Sequence, residues 1–308
     1  MKRLGNLFER IVDIENLKLA DKKARKGKSK QYGVKVHIKN EEINILKLHE
    51  DLKSGDYKTS NYNIFIIKEP KERVIYRLPY FPDRIVHHAI MNILEPIFVS
   101  MFTADTYSCI KGRGVHKASY KLRVALLKPE NIYCLKLDIR KFYPSVDNEI
   151  LKCFLRRKIK DDKLLNLLDE LIDSCMGLPI GNITSQWFGN LYLNQLDHWI
   201  KEELKVKHYF RYCDDMVILG DDKQELHRTL EYIRNKPTGL KLEIKDNYQI
   251  FPIFSRGIDF LGYKHFKGYT LLRKSIKRAY IRNKIKTNHW GWIKHCNSIN
   301  LKNKYENN

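Results

Sequence analysis

Residues 211–219 read RYCDDMVIL, two adjacent acids set between apolar runs of strand character. Asp is depleted from strands, and neighbouring carboxylates repel, so something must compensate for the pair. Taken alone, Asp214-Asp215 reads as a hairpin turn, a place Asp suits well. A third acid changes that reading. The segment IYCLKLDIRKFY, residues 132–143, is an alternating strand that ends at Asp138. If these strands are neighbours in one sheet, Asp138, Asp214 and Asp215 converge at one edge, where only cations would relieve their repulsion. Hard oxygen ligands suit Mg²⁺, and two such ions about 3.5–4 Å apart form the clamp used in in-line phosphoryl transfer.

The flanking sequence fits an antiparallel sheet backed by helices on one side, an α+β layer. After Asp138, PSVDNEILKCFLRRKI starts a helix with Asp147 as N-cap, GLPIGNITSQ makes a loop, and SQWFGNLYLNQLDHWIKEEL continues as a long helix. HYFRYCDDMVILG is a strand, a tight Asp turn and a second strand. A helix near QELHRTLEYIRNK follows, then strands at KLEIK and DFLGYKHF and a basic helical tail. Upstream, NIFIIKEPKERVIYRLPYF reads as a hairpin that leads into the helix RIVHHAIMNILEPIF. The first sixty residues are polar and helical, and the run KKARKGKS at 22–29 is a loop or arm of the kind that is usually only solvated.

Composition restricts the function class. The 308 residues carry 58 Lys and Arg against 36 Asp and Glu, a net charge of +22, which implies a polyanionic partner. From Lys264 onward there are twelve Lys or Arg and one acid, Glu306. No run of about 18 apolar residues spans a bilayer, and the start MKRLGNLFERI lacks secretory-signal features, so a cytoplasmic protein with no membrane partner is expected. The six cysteines form no CxxC pair, which argues against zinc ribbons and disulfide frameworks.

Tyr212-Cys213-Asp214-Asp215 resembles the YxDD box of reverse transcriptases, and LDIRKFYPSVD resembles their first catalytic box. The resemblance continues in order through the fingers segment EPKERVIYRLPYFPDRIVHHAI (69–90), the block FTADTYSCIKGRGVHKA (102–118) and the primer-grip turn FLGY (260–263). It implies a right-hand polymerase: fingers with an N-terminal extension over 1–130, a catalytic palm over 131–263, and a short helical thumb over 264–308. It further implies that Asp138, the Ile139 backbone carbonyl, Asp214 and Asp215 hold two Mg²⁺ ions, with Mn²⁺ as a possible substitute. Lys71, Arg73 and Arg84 would hold the incoming triphosphate, with Phe142, Tyr143 and Gln186 completing the dNTP site. Tyr143 occupies the place of a gate beneath the incoming sugar, where it would clash with a 2′-OH, and one of Phe142 and Tyr143 is an ordinary core aromatic. Lys245 falls where the family places a proton donor to pyrophosphate, and Phe260, Leu261, Gly262 and Tyr263 form the primer grip.

The loop before the long helix discriminates among branches. Most of the family reads QGxxxSP there, whereas this chain reads Ile180-Gly181-Asn182-Ile183-Thr184-Ser185-Gln186. This resembles the enzymes of diversity-generating retroelements, whose cDNA synthesis is error-prone opposite template adenines. The loop contacts the templating base in the family, so Ile180 in place of a hydrogen-bonding Gln weakens discrimination, and Gln186 replaces a rigid Pro. The expected partners are template RNA, cDNA primer and product, dNTPs, and a small basic barrel-forming accessory protein. The alternatives are an ordinary-fidelity intron, retron or defence reverse transcriptase, and a non-catalytic RNA-binding scaffold.

Overall fold

The computed structural model describes residues 3–68, 72–235, 239–282, 290–298 and 300. Lys71 lies outside them, as do 283–289 and 301–308 of the basic C-terminal segment and the side chain of Trp290. In chain order the elements begin with α1 (Phe8–Val12), α2 (Ile14–Arg25), α3 (Tyr32–Lys39) and α4 (Glu41–Ser54). The hairpin β1 (Asn63–Ile67) and β2 (Arg73–Arg77) then leads through a kinked turn at Tyr80–Arg84, with Phe81 extended (φ −107°, ψ 136°), into α5 (Ile85–Val99), followed by α6 (Val115–Leu126) and β3 (Tyr133–Leu137). Next come α7 (Phe142–Ser145), α8 (Asn148–Lys158), α9 (Asp162–Asp173) and α10 (Ile183–Glu202). The hairpin β4 (His208–Tyr212) and β5 (Asp215–Gly220) precedes α11 (Lys223–Asn235). The chain closes with β6 (Gln249–Pro252), α12 (Ile253–Arg256), β7 (Ile258–Phe260), β8 (Tyr263–His265), β9 (Thr270–Leu272), α13 (Lys274–Arg282) and α14 (Trp290–Ile293).

Two compact units divide these elements: residues 1–102, 141–195 and 238–242 form one, and 103–140, 196–237 and 243–308 the other. In the first, α2 presents Leu17, Ala20 and Ala24 and α5 presents Val86, Ala89 and Ile90 as buried faces at helical spacing. The Asn16 amide donates to the carbonyls of Ile11 (2.8 Å) and Ala89 (3.2 Å), fixing where α1 and α5 meet α2. The Asp147 carboxylate caps α8, accepting from the N–H groups of Glu149 (3.0 Å) and Ile150 (3.1 Å), as its sequence position predicts.

The second unit holds a four-stranded antiparallel sheet in the order β4-β5-β3-β6. Met216 to Leu219 are buried at every successive position, so both faces of β5 are covered. Cys134, Phe210, Val217, Leu219 and Phe251 from the sheet pack with Leu122 and Leu126 of α6 and with Phe260. A separate sheet, β7-β8-β9, carries a second cluster of Tyr263, Leu272, Tyr280 and Ile293, against which Trp292 packs as a core anchor.

Three local expectations are corrected. DFLGYKHF is not one strand: it turns at Leu261-Gly262, so that β7 and β8 pair antiparallel. KLEIK is not a strand: of residues 241–245 only Ile244 forms a bridge, antiparallel to Ile139, and the strand that pairs with β3 is β6. The alternation Leu240, Leu242, Ile244 imitates a strand, but Lys241 turns to a positive φ of 52°, which ends any extended run. The basic run at 22–29 is also not all loop, because Lys22 to Arg25 complete the last turn of α2, where cations complement the helix dipole.

Candidate active site

β4 and β5 are joined by the shortest common hairpin loop. Tyr212 pairs with Asp215, leaving Cys213 and Asp214 as a two-residue turn. Such turns require positive φ at the apex, and Cys213 adopts 54°. A side chain other than Gly, Asn or Asp in that region costs on the order of 1 kcal/mol. The neighbouring register aligns Leu137 with Met216, so Asp138 follows β3 at the level where Asp215 begins β5. Asp138, Asp214 and Asp215 therefore gather at one end of one sheet.

Their surroundings disfavour charge. Burial, then the charge of Asp138, pushes the Asp214 carboxyl up to about 6. Burial pushes Asp215 up to about 6 as well, against the pull of Lys136, whose ammonium lies 3.7 Å from Asp215 Oδ1. Oδ1 of Asp138 and Oδ1 of Asp215 are both buried and accept no hydrogen bond among the described residues, although the two side chains are 39% and 30% exposed elsewhere. The Lys245 ammonium sits on Oδ2 of Asp138, and the Lys245 backbone N–H donates to the Asp138 carbonyl at 2.9 Å. The Ile139–Ile244 bridge is hydrogen-bonded through its flanking residues (Arg140 to Glu243, 2.8 Å), leaving the Ile139 carbonyl outside that ladder.

An all-oxygen donor set with two orphaned buried carboxylate oxygens fits hard divalent cations. Among the described residues no three His, Cys, Asp or Glu side chains stand at joint ligating distance. In this arrangement Lys245 supplies the positive charge at Asp138, and a metal there would take over that role.

Beneath the hairpin lies a feature that sequence reading misses. Arg211 and Asp197, from the C-terminal part of α10, form an ion pair with both side chains 0% exposed. Nε of Arg211 donates to Asp197 Oδ1 at 2.7 Å, and Nη2 donates to Oδ2. The hydroxyls of Tyr209 (2.7 Å) and Thr106 (2.9 Å) fill the remaining acceptor positions of the carboxylate. Nη1 of the same guanidinium donates to the carbonyl of Cys213 at 2.9 Å, so the buried pair holds the backbone of the turn that carries Asp214. Thr106 also bridges Arg211 in parallel, with the Arg211 N–H donating to Asp105 and the Tyr107 N–H donating to Arg211, each at 3.0 Å. An Arg before the box and an Asp on the preceding helix are the only traces of this in the sequence, and nothing there pairs them.

The first unit contains the other expected site residues. Phe142 is buried, its ring so close to Gly189 that a Cβ there would lie 3.1 Å away, whereas Tyr143 is half-buried with its ring edge-on to Phe142 at 5.5 Å. Phe142 is thus the core aromatic of the two. The Tyr143 carbonyl accepts the Leu178 N–H at 2.8 Å, and Gly177, at φ 70°, approaches so closely that a Cβ would stand 2.7 Å from that carbonyl. Ile180 is stapled to β2: its carbonyl accepts the Tyr76 N–H at 2.9 Å, and Gly181, at φ 134°, leaves no room for a Cβ beside the Tyr76 carbonyl (2.6 Å). Ser185 is buried and Gln186 exposed on the first turn of α10.

Arg84, Gly181 and Gln186 line one cavity of about 240 Å³, together with Lys28, His87 and His88. Burial, then Arg84, lowers the Lys28 amine; burial, then Arg77, lowers the Arg84 guanidinium. Burial brings His87 down to about 3 and His88 to about 4, so Lys28 and Arg84 carry the charge. No carboxylate lines this cavity among the described residues, an arrangement that suits a phosphate-bearing ligand. Lys28 comes from the basic run that read as merely solvated. Arg73 is exposed on β2 and does not line the cavity.

In the predicted primer grip, Phe260 pairs with Tyr263 across a second two-residue turn, with Leu261 at φ 51° and Gly262 at φ 83°. Both aromatic side chains are buried anchors, Tyr263 donating to the Trp292 carbonyl at 3.1 Å, and the Leu261-Gly262 tip is itself packed, Leu261 against the sheet core and Gly262 against Trp292. Gly262 is required, since a Cβ would lie 2.5 Å from the Trp292 ring.

Among solved structures, the chain is similar to apo telomerase from Candida tropicalis (TM-score 0.51, 12% identity, 77% of this chain and 52% of that one) and to Candida albicans telomerase (0.50, 13%, 75% and 50%). These likenesses concern the fold, mixed helix and antiparallel sheet in a right-hand polymerase. Among curated proteins it is 24% identical over 270 residues to Protein YkfC of Escherichia coli K12 (72% of this chain, 71% of that one). It is also 24% identical over 217 residues to Group II intron-encoded protein LtrA of Lactococcus lactis (66% and 35%). The family description Reverse transcriptase (RNA-dependent DNA polymerase) matches residues 66–265, which span both catalytic boxes and the FLGY turn. The chain belongs to the reverse transcriptase family.

Proposed function

We propose that this chain is the RNA-directed DNA polymerase of a diversity-generating retroelement, copying the element's own repeat RNA into cDNA with errors concentrated opposite template adenines. The observation that carries the polymerase reading is the carboxylate end of the β4-β5-β3-β6 sheet, with its two orphaned buried oxygens. In this reading residues 1–130 are fingers, 131–263 palm and 264–308 a basic thumb. Two Mg²⁺ ions, or Mn²⁺, held by Asp138, the Ile139 carbonyl, Asp214 and Asp215, would supply activation of the primer 3′-OH and charge neutralisation at the leaving pyrophosphate. Lys245, drawn off Asp138 once those charges are met, would give an Nζ proton to the pyrophosphate. Lys71, Arg73 and Arg84, with Lys28 added, would hold the triphosphate, Gln186 would meet the nascent pair, and Tyr143 would reject a 2′-OH.

The retroelement assignment rests on Ile180 and Gln186. The staple to β2 supports it, because the Ile180 carbonyl is engaged by the Tyr76 N–H and its apolar side chain has no hydrogen-bonding group to offer a templating base. A small basic barrel-forming accessory protein would join the template RNA, primer, product and dNTPs as partners in a bacterial, phage or archaeal cytoplasm. No helix among the described residues is long and apolar enough to cross a membrane. The similarity to LtrA favours a second reading, an intron-type enzyme of ordinary fidelity. Sequencing cDNA copied from an RNA containing all four bases separates them: errors opposite adenine support the first, and an even spectrum removes it.

A further inference from the structure

The exposed face of α6 carries Lys117, Tyr120, Lys121 and Val124 and no acid, and Leu127 and Lys128 follow directly after the helix. Tyr120 is 56% and Leu127 60% exposed, an unusual stripe of large apolar groups in water. Across from it, in the same unit, the turn between β8 and β9 holds Phe266 and Tyr269 stacked, with centroids 4.6 Å apart and planes 12° from parallel. Tyr269 is itself 45% exposed. Between the two elements runs a groove of about 280 Å³ lined by Tyr120, Arg123, Val124, Leu127, Phe266 and Tyr269. Its rim is cationic: Lys264 lies 5.5 Å from the Phe266 ring and Lys117 6.0 Å from the Tyr120 ring. No carboxylate lines it among the described residues.

We propose that this groove binds single-stranded nucleic acid, separately from the carboxylate site and whichever branch of the family the chain serves. Aromatic rings on both walls offer stacking faces to unpaired bases, and Arg123 with the rim lysines meets the phosphates between them. A duplex keeps its bases stacked on one another and has no use for the rings. A neutral apolar partner would leave the cationic rim desolvated and unpaired, and an acidic polypeptide would leave the three rings without a matching face.

The test uses the full chain saturated with a short blunt hairpin template-primer, so that the polymerase cleft is occupied. Binding of fluorescein-labelled (dT)20 and (U)20 is then followed by anisotropy, the two arms distinguishing cDNA from RNA as the strand preferred. Tyr120→Ala/Tyr269→Ala should weaken binding of the preferred strand by about tenfold or more, on the stacking worth of one to two rings. Tyr120→Phe/Tyr269→Phe should bind as wild type, since rings and not hydroxyls are used. Primer extension on a separate template-primer with a recessed 3′ end should be unchanged in both variants, which also verifies folding. Equal binding by wild type and the Ala variant overturns the proposal. So does displacement of (dT)20 and (U)20 by poly-glutamate of equal charge as effectively as by unlabelled strand, since charge alone would then explain the binding.

Discussion

Replacing Asp197 by Asn tests whether the buried pair under the catalytic hairpin sets its geometry. The substitution removes the charge that compensates a fully buried guanidinium and turns an amide N–H₂ either toward Arg211 Nε and the Tyr209 hydroxyl or toward Arg211 Nη2 and the Thr106 hydroxyl. Breaking a buried pair by altering one partner costs about 3–5 kcal/mol. Against a domain stability of about 5–15 kcal/mol, that should move a urea midpoint strongly downward. Stability alone does not isolate positioning, so the second variant is Asp197→Leu with Arg211→Met, which removes both charges and restores an apolar interior; such replacements are often neutral or stabilising. This double variant should regain most of the lost stability. It should still extend primers slowly, because no guanidinium then holds the Cys213 carbonyl and Asp214 is free to wander. Urea denaturation and single-turnover primer extension measure the two quantities. A double variant with both wild-type stability and wild-type rate would refute the positioning role, and an Asp197→Asn protein of unchanged midpoint would refute the energetic one.

Three further outcomes follow from the same geometry. Because Asp215 binds its proton more tightly folded (about 6) than unfolded (3.8), its contribution to stability is greatest below about pH 4 and declines as pH rises through 6, a loss near 3 kcal/mol at neutral pH. Mg²⁺ should therefore raise the melting temperature more at pH 7.5 than at pH 5, and equal shifts at both would contradict cation binding at this cluster. Tyr143→Ala should raise ribonucleotide incorporation in a competition assay by tenfold or more, and no change means that the gate lies elsewhere. Ile180→Gln, which gives the loop a hydrogen-bonding side chain while keeping its backbone bond to Tyr76, should lower misincorporation opposite adenine; an unchanged error spectrum would detach fidelity from this loop.

The parts of the fold that were legible in the sequence are those set by local rules. The Asp147 cap, the amphipathic spacing of α11 and a tight turn within RYCDDMVIL each depend on a few adjacent residues, although the turn falls on Cys213-Asp214, one residue before the acid pair, because Asp215 pairs with Tyr212 as the first residue of β5. The carboxylate cluster was legible because strand ends carry their acids at matching register. What escaped depends on distant pairings. Asp197 and Arg211 stand on a helix and a strand whose mutual approach no periodicity encodes, and Lys28 reaches the Arg84 cavity only because α2 and α5 pack together. KLEIK misled because alternation reports a half-buried segment equally well when only one residue of it bridges a strand.

The central claim is that Asp138, Asp214 and Asp215 form a polymerase centre. Primer extension with dNTPs on an RNA template in Mg²⁺, comparing wild type with Asp214→Ala at matched folded concentration, tests it most directly. Full-length cDNA is expected from the wild type, with a loss of about a thousandfold or more in rate for the variant; equal extension by both would contradict that role.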